Sequence, residues 1–403
     1  MRWVIVAGLL CLGLASVAAS EPNWGTWAAE VSKVHPLAGS FYSPRLDWET
    51  IARIKKLQSD DAREGKQSRR GLAPIVRLNS GFRGDKTGEG WLYRPPPSDG
   101  WPSLVWAGML LLGEVHDNPV HHQVRAWLIE HRIKMGTSEP MVVERIRAAV
   151  VFEQIRADQQ PALDQYKTLA ESGGGTTDDL FRLLEWDKSG WPSAKIYKPL
   201  FEAVVAAKLP IIAGNLPRDR MRVVARGGPI PDEDRARLKL DNQMPASLAE
   251  ALNRELADSH CGTLPPEAIG GLAVAQRYRD AHLADVLLTA QKRHRNAILI
   301  AGNGHVRSDR GVPWHLRERA PKSPPAMTVM LIEVEEGKTD PEAYVPRGPE
   351  GKPAADLLIF TPRAERADPC EAMRKMKRPE PPVIPDGAMR AEGEQRSVRD
   401  LGR

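Results

Sequence analysis

Four short apolar runs, each closed by polar residues and separated by helix-sized stretches, constrain the fold more than any other feature. They are Gly108 to Leu112, followed by Gly113-Glu114-Val115-His116; Met141-Val142-Val143, followed by Glu144; Pro210 to Gly214, followed by Asn215; and Ala297 to Ala301, followed by Gly302-Asn303-Gly304-His305. Continuous apolar runs of this length read as strands buried on both faces. Asn118 is a good N-cap and Pro119 a good first helical residue, so a helix is expected from there to about Lys134. Further helices are expected over Ala148 to Leu169, Asp178 to Trp186, Ser193 to Lys208 and Pro266 to Arg293. Two later strands are expected over Met327 to Val334 and Asp356 to Thr361. This alternation predicts an α/β fold, a largely parallel central sheet flanked by helices on both faces. Ligands in such sheets bind beyond the carboxyl ends of the strands. The residues that close the four runs therefore mark the expected site, because polar groups there cost little in a wet or ligand-filled pocket.

The flanks divide the chain. Residues 1–20 read as a signal peptide: Arg2, an apolar core from Val4 to Val17, then the small residues Ala18-Ala19-Ser20. That segment is too short for a stable membrane span, so an exported protein, periplasmic or secreted, is expected. Gly8-Leu9-Leu10 before Cys11 is a poor lipoprotein signal, and membrane anchoring is not expected. Residues 21–102 read as a lead-in with a short helix from Trp48 to Leu57 and a loop-rich insertion from Asn79 to about Asp99, including Pro95-Pro96-Pro97. Residues 103–364 form the expected α/β domain. Residues 365–403 are a charged, Pro-rich tail, expected to be mostly disordered beyond Cys370. With Cys11 in the leader, Cys261 and Cys370 remain; pairing is favoured over two buried thiols in an oxidising compartment. The net charge of +5 comes without a basic stripe interleaved with aromatics, which argues against nucleic-acid binding.

Two glycine-x-x-His turns, Gly113 to His116 and Gly302 to His305, stand at expected strand ends. Glycine lets the backbone turn sharply off the sheet, and imidazole serves as metal ligand or general base. Glu114, His116, Glu144 and His305 are the candidate catalytic set. His121 and His122 open the following helix; neighbours on a helix diverge by about 100°, so only one of them faces the mouth squarely. Asp117 suits a pocket role or a helix start favoured by the dipole. Gln276 and Asp280 share a helix face beside Arg279. They line the wall opposite the strand ends, or Asp280 pairs with an arginine as structure alone. Asn215 and Asn303 complete the candidate pocket. Trp186, Trp191 and Tyr197 cluster around Gly190-Trp191-Pro192, as core or as an aromatic rim. No nucleophile elbow, phosphate-binding glycine loop, zincin helix or haem-attachment CxxCH is present.

Taken together, Gly113-Glu114-Val115-His116-Asp117-Asn118-Pro119-Val120-His121-His122, Val143-Glu144, Gly190-Trp191-Pro192, Asn215-Leu216-Pro217-Arg218, His260-Cys261, Gln276 with Arg279-Asp280, Ala301 to Arg307, Gly311-Val312-Pro313 and Asp368-Pro369-Cys370 resemble the ChaN-like haem-binding uptake family. That family sits in the Tiki superfamily, more distantly related to TraB proteins and erythromycin esterases. The likeness runs from about Leu111 to Cys370. It implies haem binding and iron acquisition at the cell envelope, often by lipoproteins, with a homodimer as one way of enclosing the haem. A non-covalently held haem needs a His or Tyr axial ligand, and Tyr278 is the candidate, with arginines near the propionates. The Tiki side implies instead a metal-dependent hydrolase, a peptidase or esterase. There His116, His305 and Glu114 hold a divalent ion that acidifies bound water, with Glu114 as base. Two strand-end histidines with acids suit a compact ion better than haem. A third reading is a binding protein that keeps these residues without turnover. The Asn79 to Pro97 segment departs from the family's short approach to the first motif, as does the missing lipobox.

Overall fold

A computed structural model describes residues 24–44, 75–77, 84–87, 90–93, 103–105, 108–138, 148–323 and 326–375. The leader, the helix expected from Trp48 to Leu57, the Met141-Val142-Val143 run with Glu144, and the tail beyond 375 lie outside these residues.

Eleven strands are described: β1 Phe41–Ser43, β2 Ile75–Arg77, β3 Gly84–Thr87, β4 Gly90–Tyr93, β5 Ser103–Val105, β6 Met109–Leu112, β7 Ala148–Arg156, β8 Ile211–Asn215, β9 Asn296–Ile300, β10 Ala326–Glu333 and β11 Leu357–Thr361. Nine make one sheet in the order β3-β4-β1-β11-β10-β6-β9-β7-β8, and β2 pairs with β5 alone. From β11 to β8 every pairing is parallel, while β1, β4 and β3 add an antiparallel edge. The expected α/β class is the observed one.

Alternation along the strands splits the interior into two layers. Leu110, Leu112, Ile298 and Ile300 pack with Trp127, Leu200 and Phe201, under the helices Pro119–Ser138 and Ala194–Ala206. Met109, Leu111 and Leu299 pack on the other face with Leu283 and Leu287 of the long helix Pro266–His294. Strands with apolar side chains on both faces read as unbroken hydrophobic runs, which is why β6 and β9 were visible in the sequence.

Two expectations fail here. The segment from Ala148, expected to be helical, is β7; the helix that follows is only Gln160–Glu171. Residues 148–152 are buried on both sides, and such a run is the same string in a buried strand and a buried helix. The loop-rich insertion also contributes structure: β3 and β4 form a hairpin whose Tyr93 pairs with Phe41 of β1. Downstream, Cys261 and Cys370 are bonded, with their Cα atoms 5.4 Å apart. Among the described residues no helix is long and apolar enough to cross a membrane.

Candidate functional site

β6 delivers the first turn into an enclosed position. The Glu114 side chain is fully buried, and a carboxylate there is tolerable only with compensating charge and hydrogen bonds. Arg125, from the second turn of the Pro119–Ser138 helix, supplies the charge through a direct ion pair to Oε2 and is itself fully buried. Burial pulls the Arg125 guanidinium down to about 9, which leaves it protonated near neutrality. Gln154 Nε2 donates to Glu114 Oε1 at 2.8 Å and the Tyr197 hydroxyl donates at 3.2 Å. His116 Nδ1 lies 2.6 Å from the same oxygen.

The two adjacent histidines are both enclosed, and each hydrogen-bond pattern fixes a tautomer. His122 Nε2 donates to the His116 carbonyl at 2.9 Å, and its Nδ1 accepts from Arg125 at 2.6 Å. Burial pushes its pKa down to about 4. His121 Nδ1 accepts from the Val115 amide at 2.8 Å, and its Nε2 meets Thr361 Oγ1 at 2.8 Å; burial lowers its pKa well below the ordinary value. Both are neutral braces that hold the turn, and neither reaches the mouth. Asp117 is half exposed and pairs with Arg366 at 2.9 Å.

The second turn is built around His305. Its Nδ1 meets Asp280 Oδ1 at 2.5 Å and its Nε2 meets Glu153 Oε1 at 3.1 Å. Burial works against the charge, but Glu153 and Asp280 on either side raise the pKa to about 10, so the ring is an imidazolium. Burial pushes Glu153 up, yet the charges of His305, His116 and Arg279 and the His305 hydrogen bond hold it below the usual carboxylate range. Asp280 goes the other way, raised because burial outweighs its attraction to His305. Glu153 Oε2 also accepts from the Gly302 amide at 2.8 Å. The Gln276 amide lies 3.2 Å from His305 Nδ1, and Asn215 Nδ2 donates to the Glu153 carbonyl at 2.9 Å.

The turns interlock. The Asn303 amide donates to the Glu114 carbonyl at 2.9 Å, and Asn303 Nδ2 donates to the Leu331 carbonyl at 2.8 Å. Neither Gly113 nor Gly302 has a positive φ, so their role is clearance rather than a left-handed turn. A β-carbon on Gly113 would run into the Asn303 side chain, and one on Gly302 would meet the His116 ring at 2.9 Å.

Only one imidazole of the pair is presented. The His116 side chain is 37% exposed, and its Nε2 carries no hydrogen bond among the described residues. Burial lowers its pKa against the pull of Glu153, which leaves it neutral at pH 7. The Trp191 ring stands edge-on 4.9 Å away, held by its Nε1 donating to the Gln154 carbonyl at 3.0 Å. Arg279, partly exposed, reaches to 3.9 Å from Glu153.

The first and second turns, Asn215, Gln276, Arg279, Asp280 and Asn303 therefore do come together. Glu144 lies outside the described residues, and an acid that faces His305 is Glu153, within β7 where its register with β8 shifts. Arg125, Glu153 and Gln154 escaped the sequence reading. The i, i+3 spacing of His122 and Arg125 was the available signal for the first of these.

The sequence profile described as haem-binding uptake, Tiki superfamily, ChaN matches residues 101–316. The chain belongs to this family. Among solved structures, ChaN of Campylobacter jejuni with cofacially bound haem is similar at 22% identity over 62% of this chain and 86% of that one, with a TM-score of 0.45. The type III effector HopBA1 is similar at 10% identity over 64% and 88%, with a TM-score of 0.31. No curated protein sequence is a significant match.

Which donors of this ChaN-family chain fit a haem follows from the side chains. Tyr278 does not: it is fully buried and its hydroxyl donates to Asp234, because it belongs to a separate apolar cluster with Leu216, Met221 and Leu238. Tyr42, Tyr166, Tyr197 and Tyr344 are likewise buried with bonded hydroxyls. His116 does fit, having one ring nitrogen fixed and the other without a hydrogen bond among the described residues. The expected metal set fits poorly, since His305 has both nitrogens committed to carboxylates. Among the described residues no three His, Cys, Asp or Glu groups are placed to hold an ion.

Proposed function

We propose that this chain binds haem at the carboxyl-end mouth of its sheet, with His116 Nε2 as the iron ligand, in an exported iron-acquisition role. The observation that carries the reading is the asymmetry of His116. Glu114 fixes Nδ1 at 2.6 Å, while Nε2 carries no hydrogen bond among the described residues and the side chain is partly exposed. A carboxylate hydrogen-bonded to the far nitrogen fixes the tautomer and raises the basicity of the ligating one. Trp191 offers an apolar edge beside the ligand and Arg279 a cation for a propionate. Bound haem supplies an iron centre and a flat apolar surface. The mouth covers one side of such a ligand, and a second copy of the chain is the simplest cover for the other. Family membership supports the ligand class.

Titrating haemin into the purified protein is expected to give a saturable Soret shift that His116→Ala removes and Tyr278→Phe leaves intact. A His116→Ala protein with unchanged affinity and spectrum overturns the assignment.

A second reading, hydrolysis with His116 as general base, rests on the same 2.6 Å contact, the arrangement of an acid-oriented base. It predicts turnover of some ester or peptide substrate that disappears in His116→Ala. A metal-assisted version, using His305, requires that residue to release Glu153 or Asp280.

A further inference from the structure

We infer that residues 362–370 form a strap across the mouth, closed by the Cys261–Cys370 disulfide, and that reduction of this bond opens the site. The role given to the opened site rests on the haem-binding reading above. Four observations place the strap.

First, its leading end is pinned beside the first turn. Asn118 Nδ2 donates to the Pro362 carbonyl at 3.0 Å, the Ala364 amide donates to Glu333 Oε1 at 3.1 Å, and Arg366 pairs with Asp117 at 2.9 Å and with Glu333. Asp117 is the residue after His116. Second, its trailing end is covalently fixed to the end of the helix that lies against the second turn. Cys261 follows directly on the helix Ala246–Ser259 and its cap His260. Glu255 of that helix lies against Gly304, where a β-carbon would meet its Oε1 at 3.3 Å. Gly304 is the residue before His305. The chain from Arg366 to Cys370 thus connects the surroundings of the two histidines.

Third, the strap has a sided pattern: Pro362, Ala364 and Arg366 are half-buried while Arg363, Glu365 and Ala367 are exposed. Fourth, from Pro362 to Asp368 it takes no regular secondary structure. Side-chain contacts and the disulfide are what hold it: the Arg366–Asp117 pair is half exposed on the Asp117 side and a weak anchor, while the Arg366–Glu333 pair is the more enclosed one. Four residues from Arg366 to Cys370 span at most about 14 Å. With the disulfide intact, the strap therefore stays at the mouth even when Arg366 lets go. With it cut, the whole segment is released from its covalent end.

The chemistry balances with a dithiol as reductant. Its two thiols supply two electrons and two protons, the Cys261–Cys370 bond breaks to two thiols, and the reductant leaves as its own disulfide.

The test uses the full protein in three forms: oxidised; reduced with dithiothreitol that is removed anaerobically; and Cys261→Ser/Cys370→Ser. Hydrogen exchange is read over 362–370 and 113–118, with β6 and β9 as the control for an intact fold, and haemin association is followed at the Soret band. The expected result is lost protection over 362–370 and several-fold faster haemin association in both disulfide-free forms, with β6 and β9 unchanged. Full reduction that leaves protection over 362–370 as it was overturns the strap. If no form binds haemin, the haem reading falls and the exchange result still decides the strap.

Discussion

The two glycine-x-x-His turns share a sequence pattern, a strand-end position and adjacent strands, yet they handle their histidines in opposite ways. His116 has one nitrogen tied to a carboxylate, stays neutral and faces the opening. His305 has both nitrogens tied, is protonated and is buried. The number of carboxylates within reach makes the difference. One acid, already neutralised by the Arg125 ion pair, orients a ring; two acids, with only the longer 3.9 Å contact from Arg279 to Glu153 among the described residues, capture a proton and turn the ring into a structural ion. The first turn presents chemistry and the second cements it.

The sharpest way to break this contrast is to strand the buried charges. Arg125→Met leaves the Glu114 carboxylate enclosed without its cation, and His305→Ala does the same to Glu153 and Asp280. Each is expected to cost about 3–5 kcal/mol in denaturant unfolding. His116→Ala is expected to cost no more than about 1 kcal/mol, while removing the ligand signal. Equal losses at the two histidines would erase the distinction.

Gly302→Ala tests the clearance between the turns. Its new methyl group meets the His116 ring, so haemin affinity is expected to fall while the unfolding midpoint changes less than in His305→Ala. An unchanged affinity would mean that the ring has room to move aside.

The same contrast is expected in the pH dependence of stability. His305 is held above its free value, so its contribution is complete below about pH 6.5 and is lost as pH rises through about 10. His122 is held below its free value, so stability falls as pH drops from about 6.5 toward about 4. Thermal melts from pH 4 to 11 are expected to show both limbs, and His305→Gln is expected to remove the alkaline one. An alkaline limb that survives in His305→Gln assigns it elsewhere.

Much of this was legible in the chain. The strands β6, β8 and β9, the polar residues closing them, and the helix wall of Gln276, Arg279 and Asp280 were all visible, because buried parallel strands and helix faces leave local patterns. Glu153 was hidden because its strand carries no period, and the neighbouring Met141-Val142-Val143 run resembled a strand better. Arg125 was hidden because a helical arginine looks the same whether it faces water or a buried acid; only its partner, Glu114, sets the difference. The glycines were noticed for the wrong reason. Their lack of a side chain matters at the contact between turns, and that contact exists only in the folded molecule.

The bond from the Asn303 amide to the Glu114 carbonyl joins residues nearly half the chain apart, and β6 lies between β9 and β10, both made long after it. The junction between the two turns therefore has no local precursor. Contacts of such separation form late and slowly, so during synthesis the first turn exists for a long interval without the Asn303 bond and the neighbouring strands β9 and β10. Assembly order itself withholds the site from ligand until the second half of the domain has arrived.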